Sequence, residues 1–402
     1  MSKTWKLQIY LLTLISLLVG TSQNVFVGIL DKVADYAGVT VSAAGQLVTL
    51  FALANAIGTP IIILATAKLD QRKQLILALA LTVLGSAMTV IFSGFGFLML
   101  SRIVLGVGMG VFIVTAFSLA AKLSPRGHQA SALATVTMGF SASLVIGVPI
   151  GRFIAASFDW KIIYWGIGLL CLLAIFAVAK MIPATKNEAP VPLGKQLALL
   201  KNSKITFSLC VTFFLFIGYA VFYTYITPFL NTVSPMSERA LSLTLLVLGI
   251  ATLIGSKLGG FMTDRLGFAR TLFFGMSVNA LALIMLSTIA GSYIVTFVLL
   301  MVWAIAAWTS GPTLQYNLVS IAPEASGIIL SLNSSVLQLG MATGAAFGGL
   351  VTAGLSIQSV SLVAATSVVV AISIFAISFA LFRSNAKTRL TDNTHVSTNE
   401  TS

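Results

Sequence analysis

Twelve long apolar stretches separated by short polar interruptions fill almost the whole chain. They fall at 8–30, 42–65, 75–94, 97–121, 129–157, 161–182, 205–230, 240–262, 271–291, 293–317, 326–354 and 357–382. About 20 predominantly apolar residues suffice for a helix to cross the hydrocarbon core of a bilayer. Each stretch therefore predicts a membrane-spanning helix. Several exceed the minimum, which predicts tilt or kinking. Barrel strands are excluded, because the runs are too long and do not alternate. The first stretch lacks a small-residue cleavage pattern and further spans follow, so it reads as a retained helix and not a signal peptide.

The longest polar interruption, 183–204, divides the spans six and six. It predicts a first six-helix bundle over 1–182, a cytoplasmic linker over 183–204, and a second bundle over 205–385. The tail 386–402 is polar and poor in apolar residues, which predicts disorder. Each half carries a short basic loop between its second and third spans, at 65–74 and 259–270. The expected fold is all-α and integral to the membrane, with two pseudo-symmetric bundles. Many transporters are built from such repeats, with the solute site between them.

Composition agrees. Of 402 residues, 58% are hydrophobic and 8% charged, far too little charge to coat a soluble domain. The net charge is +13, and the cations sort by loop. An even number of spans puts both termini on one side, with Lys3, Lys6, Lys68, Arg72, Lys73, Lys122, Arg126 and the basic residues of the linker, the 259–270 loop and the tail. The other side holds Lys32, Lys161 and Arg239. Positive residues stay inside, so both termini are expected in the cytoplasm of a bacterial inner membrane. Anionic lipid headgroups explain the charge, and nucleic acid is not needed. Cys171 and Cys210 fall inside spans and read as packing residues, with neither disulfide nor metal expected. An intramembrane enzyme needs a nucleophile, metal ligands or an acid–base pair at membrane depth. His128 and His395 lie in a loop and the tail. No phosphate-binding G-x-x-x-x-G-K-[ST] loop occurs. Neither an enzyme nor a cofactor is expected.

Four segments carry more specific chemistry. The loop 259–270, GGFMTDRLGFAR, places Asp264 and Arg265 at a helix end beside a Gly turn, where Asp264 pairs with Arg265 or caps a neighbouring helix. The first-half loop has Ala67 and Lys68 at the matching place, with Asp70 set to compensate through Arg72 or Lys73. Arg102 lies within the fourth span, where an arginine costs about 2.5–3.5 kcal/mol on insertion scales. It faces the bundle interior or snorkels outward. In the fifth span, Gly147, Pro149 and Gly151 form GVPIG: the glycines permit close helix approach, and the proline bends the helix. Arg152 follows, expected to snorkel to the outer face. In 303–349, Gly340, Gly344 and Gly348 recur every four residues, and Asn333, Ser334, Ser335 and Gln338 add polar groups.

Along essentially its whole length the chain resembles major facilitator superfamily transporters of the drug:proton antiporter type, and within them the bacterial purine-base, nucleoside or arabinose-type sugar exporters. The resemblance implies that Arg102 serves proton coupling, that GVPIG is a hinge closing the outer half of the cavity, and that the first, fourth, seventh and tenth helices line a central site. Gln23, Asn24, Asn55, Tyr219, Tyr223, Trp308, Gln315, Asn333 and Gln338 are the expected substrate-binding residues. A lining of rings and amides suits a neutral planar or hydroxylated solute. Arg102, Gly147, Pro149, Gly151, Asp264, Arg265, Lys257 and Asp31 are the expected coupling and gating residues. Lys257 binds an anionic group, titrates, or reaches the inner surface.

One departure stands out. None of the ten acids lies near the middle of a span, whereas many related antiporters carry a carboxylate in helix 1, where this chain has Gln23. Burial lifts a carboxylate towards neutral pKa and makes it the usual proton carrier. Asp31, or water linked to Arg102, would have to substitute. The expected function is secondary active export of a small organic solute by a monomer working through alternating access in exchange for protons. An uncoupled facilitator or a transporter-like sensor is the alternative.

Overall fold

The structure is a computed structural model. It describes residues 4–125, 128–185, 198–289, 291–322 and 325–399, without the side chains of 129–130, 326–327 and 382–399. Most of the predicted linker 183–204 lies outside the described residues.

Among the described residues there are twelve spanning helices: α1 Thr4–Gly28, α2 Val41–Ala65, α3 Gln71–Ile91, α4 Phe95–Leu123, α5 Ser131–Ser157, α6 Lys161–Met181, α7 Ser203–Tyr223, α8 Glu238–Leu266, α9 Phe268–Thr288, α10 Tyr293–Ile321, α11 Ile328–Gly354 and α12 Ser359–Leu381. Helix is the only open form that satisfies backbone groups in lipid. Polar caps mark several starts. Thr40 accepts from the Ala43 N–H at 3.2 Å, Asp70 from Lys73 at 2.9 Å and Ser237 from Ala240 at 3.3 Å. Between α8 and α9 a single residue turns the chain, and its φ of +82° requires glycine, here Gly267. The helical backbone of α12 continues to Asn399, across the segment whose composition predicts disorder. Propagating an existing helix needs no new nucleus.

Packing follows a two-fold pattern. In the first half α3 packs on α4 and α6, α1 on α5, and α2 on α4. In the second, α9 packs on α10 and α12, α7 on α11, and α8 on α10. Two principal apolar clusters result, one per half. Tyr225 of the second half is embedded in the first cluster, and Val27 and Val148 of the first half in the second. The halves meet through α2 against α11 and α5 against α8.

Both halves break in the same places. The first apolar stretch was expected to run to 30, but α1 stops at Gly28, and a short helix, Leu30–Ala37, follows Ile29. The seventh was expected to reach 230, but α7 stops at Tyr223, and the short helix Ile226–Val233 follows. Hydrophobicity marks depth and not backbone continuity, so each pair read as one span. The two short helices touch at the end opposite the termini, called the outer end below. Within the first half a further kind of break occurs twice, a widened π turn at Ala54–Gly58 in α2 and Ser143–Gly147 in α5. Each precedes a proline, Pro60 and Pro149. A proline lacks an N–H and its ring crowds the carbonyl one turn back, and a π turn relieves the crowding.

Candidate functional site

The joint between the halves decides which end is open. α8 packs on 143–157 of α5, and α11 on 41–58 of α2. These are the outer parts of α2 and α5. Backbones approach closely there: a Cβ on Gly249 of α8 would sit 2.7 Å from the Val145 Cα, and one on Gly349 of α11 3.2 Å from the Ser42 carbonyl oxygen of α2. The buried Tyr225 hydroxyl donates to the Ala345 carbonyl at 2.9 Å.

Polar contacts across the joint also gather at the outer end. Arg152, 1% exposed in its side chain, forks onto Glu238 of the other half with Nε–Oε2 2.8 Å and Nη2–Oε1 3.0 Å. Its Nη1 reaches Asp31 and donates to the Gly28 carbonyl at 3.2 Å. Lys32 pairs with Glu238 at 3.0 Å, and Asn231 donates to Asp31 at 3.2 Å. The break after α1 frees the carbonyls of Val27 and Gly28. Thr227 of the second half takes the first at 3.2 Å, and Arg152 the second. The expectation that Arg152 snorkels is corrected: a bidentate carboxylate and a bared backbone carbonyl hold it inside. Glu238 drew no notice in the sequence, because its partner lies 86 residues away.

Beneath this cluster, between the halves, lies a small cavity lined by Gln23, Asn24, Phe26, Val27, Leu47, Val48, Phe51, Arg102, Tyr223, Thr224 and Met341. On the other side of Tyr223 a second is lined by Tyr219, Leu144, Val148, Leu245, Leu248, Gly249 and Thr252. Arg102 is 1% exposed. It donates to Tyr164 Oη at 3.0 Å and Thr89 Oγ1 at 3.3 Å, between the rings of Phe26 and Tyr164, 4.3 and 4.7 Å from its Cζ. It therefore faces inward, and snorkelling is ruled out. The second-half wall is aromatic: Tyr219 is stacked between Tyr223 (5.0 Å) and Trp303 (5.7 Å), with Trp308 edge-on at 6.1 Å.

The expected binding residues divide. Gln23, Asn24, Tyr219 and Tyr223 line the cavities, and Trp308 buttresses Tyr219. Asn24 also donates to Ser143 at 2.9 Å. The others lie elsewhere. Asn55 packs between α2 and α4, 3.1 Å from where a Gly110 Cβ would be. Asn333 accepts from Thr212 at 2.9 Å and ties α11 to α7. Gln315 is exposed and Gln338 half-buried, and neither lines the cavities described. Helical spacing alone did not show which face of α10 and α11 turns inward. Phe26, Phe51 and Met341 were missed because apolar residues in an apolar span carry no signal.

Among the gating residues, Gly147 and Gly151 pack against α1, where Cβ atoms would meet Thr21 and Val25. Pro149 follows the π turn. Lys257 is exposed. Asp264 and Arg265 are exposed too. Arg265 lies over Phe261 at 4.5 Å and, among the described residues, does not pair with Asp264. Asp70 pairs with Lys73 at 3.5 Å, while Arg72 donates to the Ala179 carbonyl at 3.4 Å.

Comparison with known proteins places this geometry. The profile of the Major Facilitator Superfamily matches residues 12–345. The uncharacterized MFS-type transporter YbcL of Bacillus subtilis (strain 168) is 45% identical over 98% of this chain and 99% of its own length. A second from the same organism, YtbD, is 27% identical over 83% and 85%. A bacterial homolog of the human lysosomal transporter Spinster, inward-facing and unoccupied, superposes with a TM-score of 0.80 at 16% identity, covering 94% of this chain and 97% of that one. A D-xylose–proton symporter gives 0.76 at 17% identity over 91% and 96%. Those two show the fold. Twelve spanning helices joined as two matched halves, and a family profile running through nine of those helices in full and most of α1 and α11, make this chain a multi-pass membrane transporter, not an enzyme, that belongs to the major facilitator superfamily.

Proposed function

We propose that the protein exports a small organic solute across the bacterial cytoplasmic membrane by alternating access, in exchange for protons. The observation that carries this reading is the asymmetry of the joint: the halves are locked by charge at the outer end, and the ring- and amide-lined cavities sit beneath that lock. With the termini in the cytoplasm, as the distribution of Lys and Arg supports, this conformation loads solute from inside. Rocking about the outer parts of α2 and α5 then delivers it outside. The π turns before Pro60 and Pro149 give both helices a pliable point. A solute with a flat face stacks on Tyr219 and Tyr223 while Gln23 and Asn24 meet its polar edge. Purine bases or nucleosides fit first, then sugars and drug-like compounds. The unit is a monomer in contact with anionic lipid.

A second reading, uncoupled facilitated export, is favoured by one observation: no carboxylate lines either cavity. The test uses inside-out vesicles with an acid-interior gradient, to which purines, nucleosides, pentoses and cationic dyes are added singly. Collapse of the gradient with one solute, absent from empty vesicles, is the expected result. Uptake of labelled solute without collapse would replace exchange by facilitation, and no uptake of any class would remove the export reading.

A further inference from the structure

Arg102 is a full charge in a place that gives it no counter-charge. A guanidinium stays protonated in proteins, and withdrawing an ion from water costs several kcal/mol even after relaxation. Among the described residues only neutral hydroxyls accept from it, on Tyr164 and Thr89. Its Nε has no partner among them. No carboxylate among the described residues reaches it. The rings of Phe26 and Tyr164 offset part of the cost through their π faces, but a quadrupole does not neutralise a charge. Arg152, one helix away and equally buried, shows what the same chain does with a structural arginine: it supplies two carboxylates. The contrast sets Arg102 apart from a settled internal ion pair.

The cavity that Arg102 lines is otherwise uncharged. Gln23, Asn24 and Thr224 give neutral polar groups, and Phe26, Phe51, Leu47, Val48 and Met341 an apolar wall. We infer that this cavity binds an organic anion: a small solute with a planar carboxylate-type group directed at Arg102 and an apolar or aromatic body against Phe26, Phe51 and Tyr223. The guanidinium fork matches a planar two-oxygen acceptor better than any single-point cation does. Gln23 fits the same scheme. An amide there leaves the positive charge for the solute to meet, whereas an acid would consume it. The inference rests on the transport reading above and puts an organic anion in place of the neutral solutes named there.

The experiment uses the full-length protein in lipid nanodiscs and two matched pairs of probes, benzoate against benzamide and nicotinate against nicotinamide. Each is titrated with equilibrium binding and thermal unfolding as readouts. The carboxylate of each pair is expected to bind at least about tenfold more tightly than its amide. Arg102→Gln removes the preference and Arg102→Lys keeps part of it. Gln23→Glu, which leaves Arg102 in place, also removes the preference and raises the unfolding temperature of the empty protein, because the new acid pairs with the arginine. Equal affinity for acid and amide, no binding of either carboxylate, or a preference that survives Gln23→Glu would each overturn the inference. A preference that is intact in a protein carrying no solute in proteoliposomes would instead sink the transport reading and leave the anion site standing.

Discussion

The outer and inner ends of the bundle hold similar residues and use them differently. At the outer end Lys32 and Arg152 of the first half pair with Glu238 of the second across the joint, and Asp31 holds Arg152 from within its own half. At the inner end Asp264 and Arg265 are exposed, and Asp70 serves the start of its own helix. A rocking transporter needs contacts that one conformation makes and the other loses, since only differential interactions shift an equilibrium. The outer charges are engaged here. On the proposed alternating-access reading, Asp264, beside the glycine turn of α8 and α9, is the candidate counterpart for the opposite conformation. The position of cross-joint charge, and not its amount, then reports the state of such a protein.

The largest effect should come from jamming the bend of α5 against α1. Gly147→Leu puts a Cβ 2.5 Å from Thr21 Oγ1 and 2.9 Å from its Cγ2, before the rest of the side chain is counted. Overpacking of this kind costs about 1–3 kcal/mol. Transport should fall to background with membrane insertion unchanged, and normal transport would remove the hinge. Next is Arg152→Gln, which leaves Asp31 without its cation and Glu238 with Lys32 alone. The side chains of Asp31 and Glu238 are 17% and 41% exposed, so the loss falls short of the ~3–5 kcal/mol of a fully buried broken pair. A shift of about tenfold towards outer opening, ~1.4 kcal/mol, is expected. It should appear as faster labelling of a cysteine placed at Ser42, which otherwise bonds the Gly349 carbonyl at 2.5 Å. Unchanged labelling would show that these charges do not hold the outer end. Glu238→Gln should act in the same direction but only a few-fold, and added salt should mimic it, because exposed charges are screened.

How much of this was written in the sequence depends on the physics of each feature. Twelve spans and their grouping follow from hydrophobicity, which lipid enforces on every lipid-facing turn. The breaks at Ile29 and Tyr225 do not, because they change the backbone and not its polarity. GVPIG marked a bend in α5, but the matching π turn in α2 before Pro60 went unread. In the candidate site, Arg102 and Gln23 were legible because a charge in a span, or an amide where a carboxylate is expected, is conspicuous. Asn333 was ambiguous, since an amide in a span signals only that it needs a partner. For Asn333 that partner is Thr212 of a neighbouring helix. Glu238 was invisible because its meaning lies in Arg152 on the other half.

The two smallest effects sharpen the comparison at the inner end, where two aspartates occupy matched loops. Asp264 makes no ion pair among the described residues, so Asp264→Asn should leave stability and solute affinity as they are. If Asp264 holds the opposite conformation, turnover should slow about threefold to tenfold, ~1 kcal/mol of differential stabilisation. Combining it with Glu238→Gln should restore the balance, because one change weakens each state. Unaltered turnover would make the second-half loop merely a tight turn. Asp70 is the reverse case. It accepts from the Lys73 N–H at 2.9 Å and pairs with the exposed Lys73 side chain at 3.5 Å. The exposed pair contributes little, and the cap about 1 kcal/mol. Asp70→Ala should therefore lower the unfolding temperature with turnover intact, and Asp70→Asn, an equally good cap, should change neither. If Asp70→Asn slows transport while stability holds, the charge of Asp70 and not its cap is at work, and the first-half loop is a second latch after all.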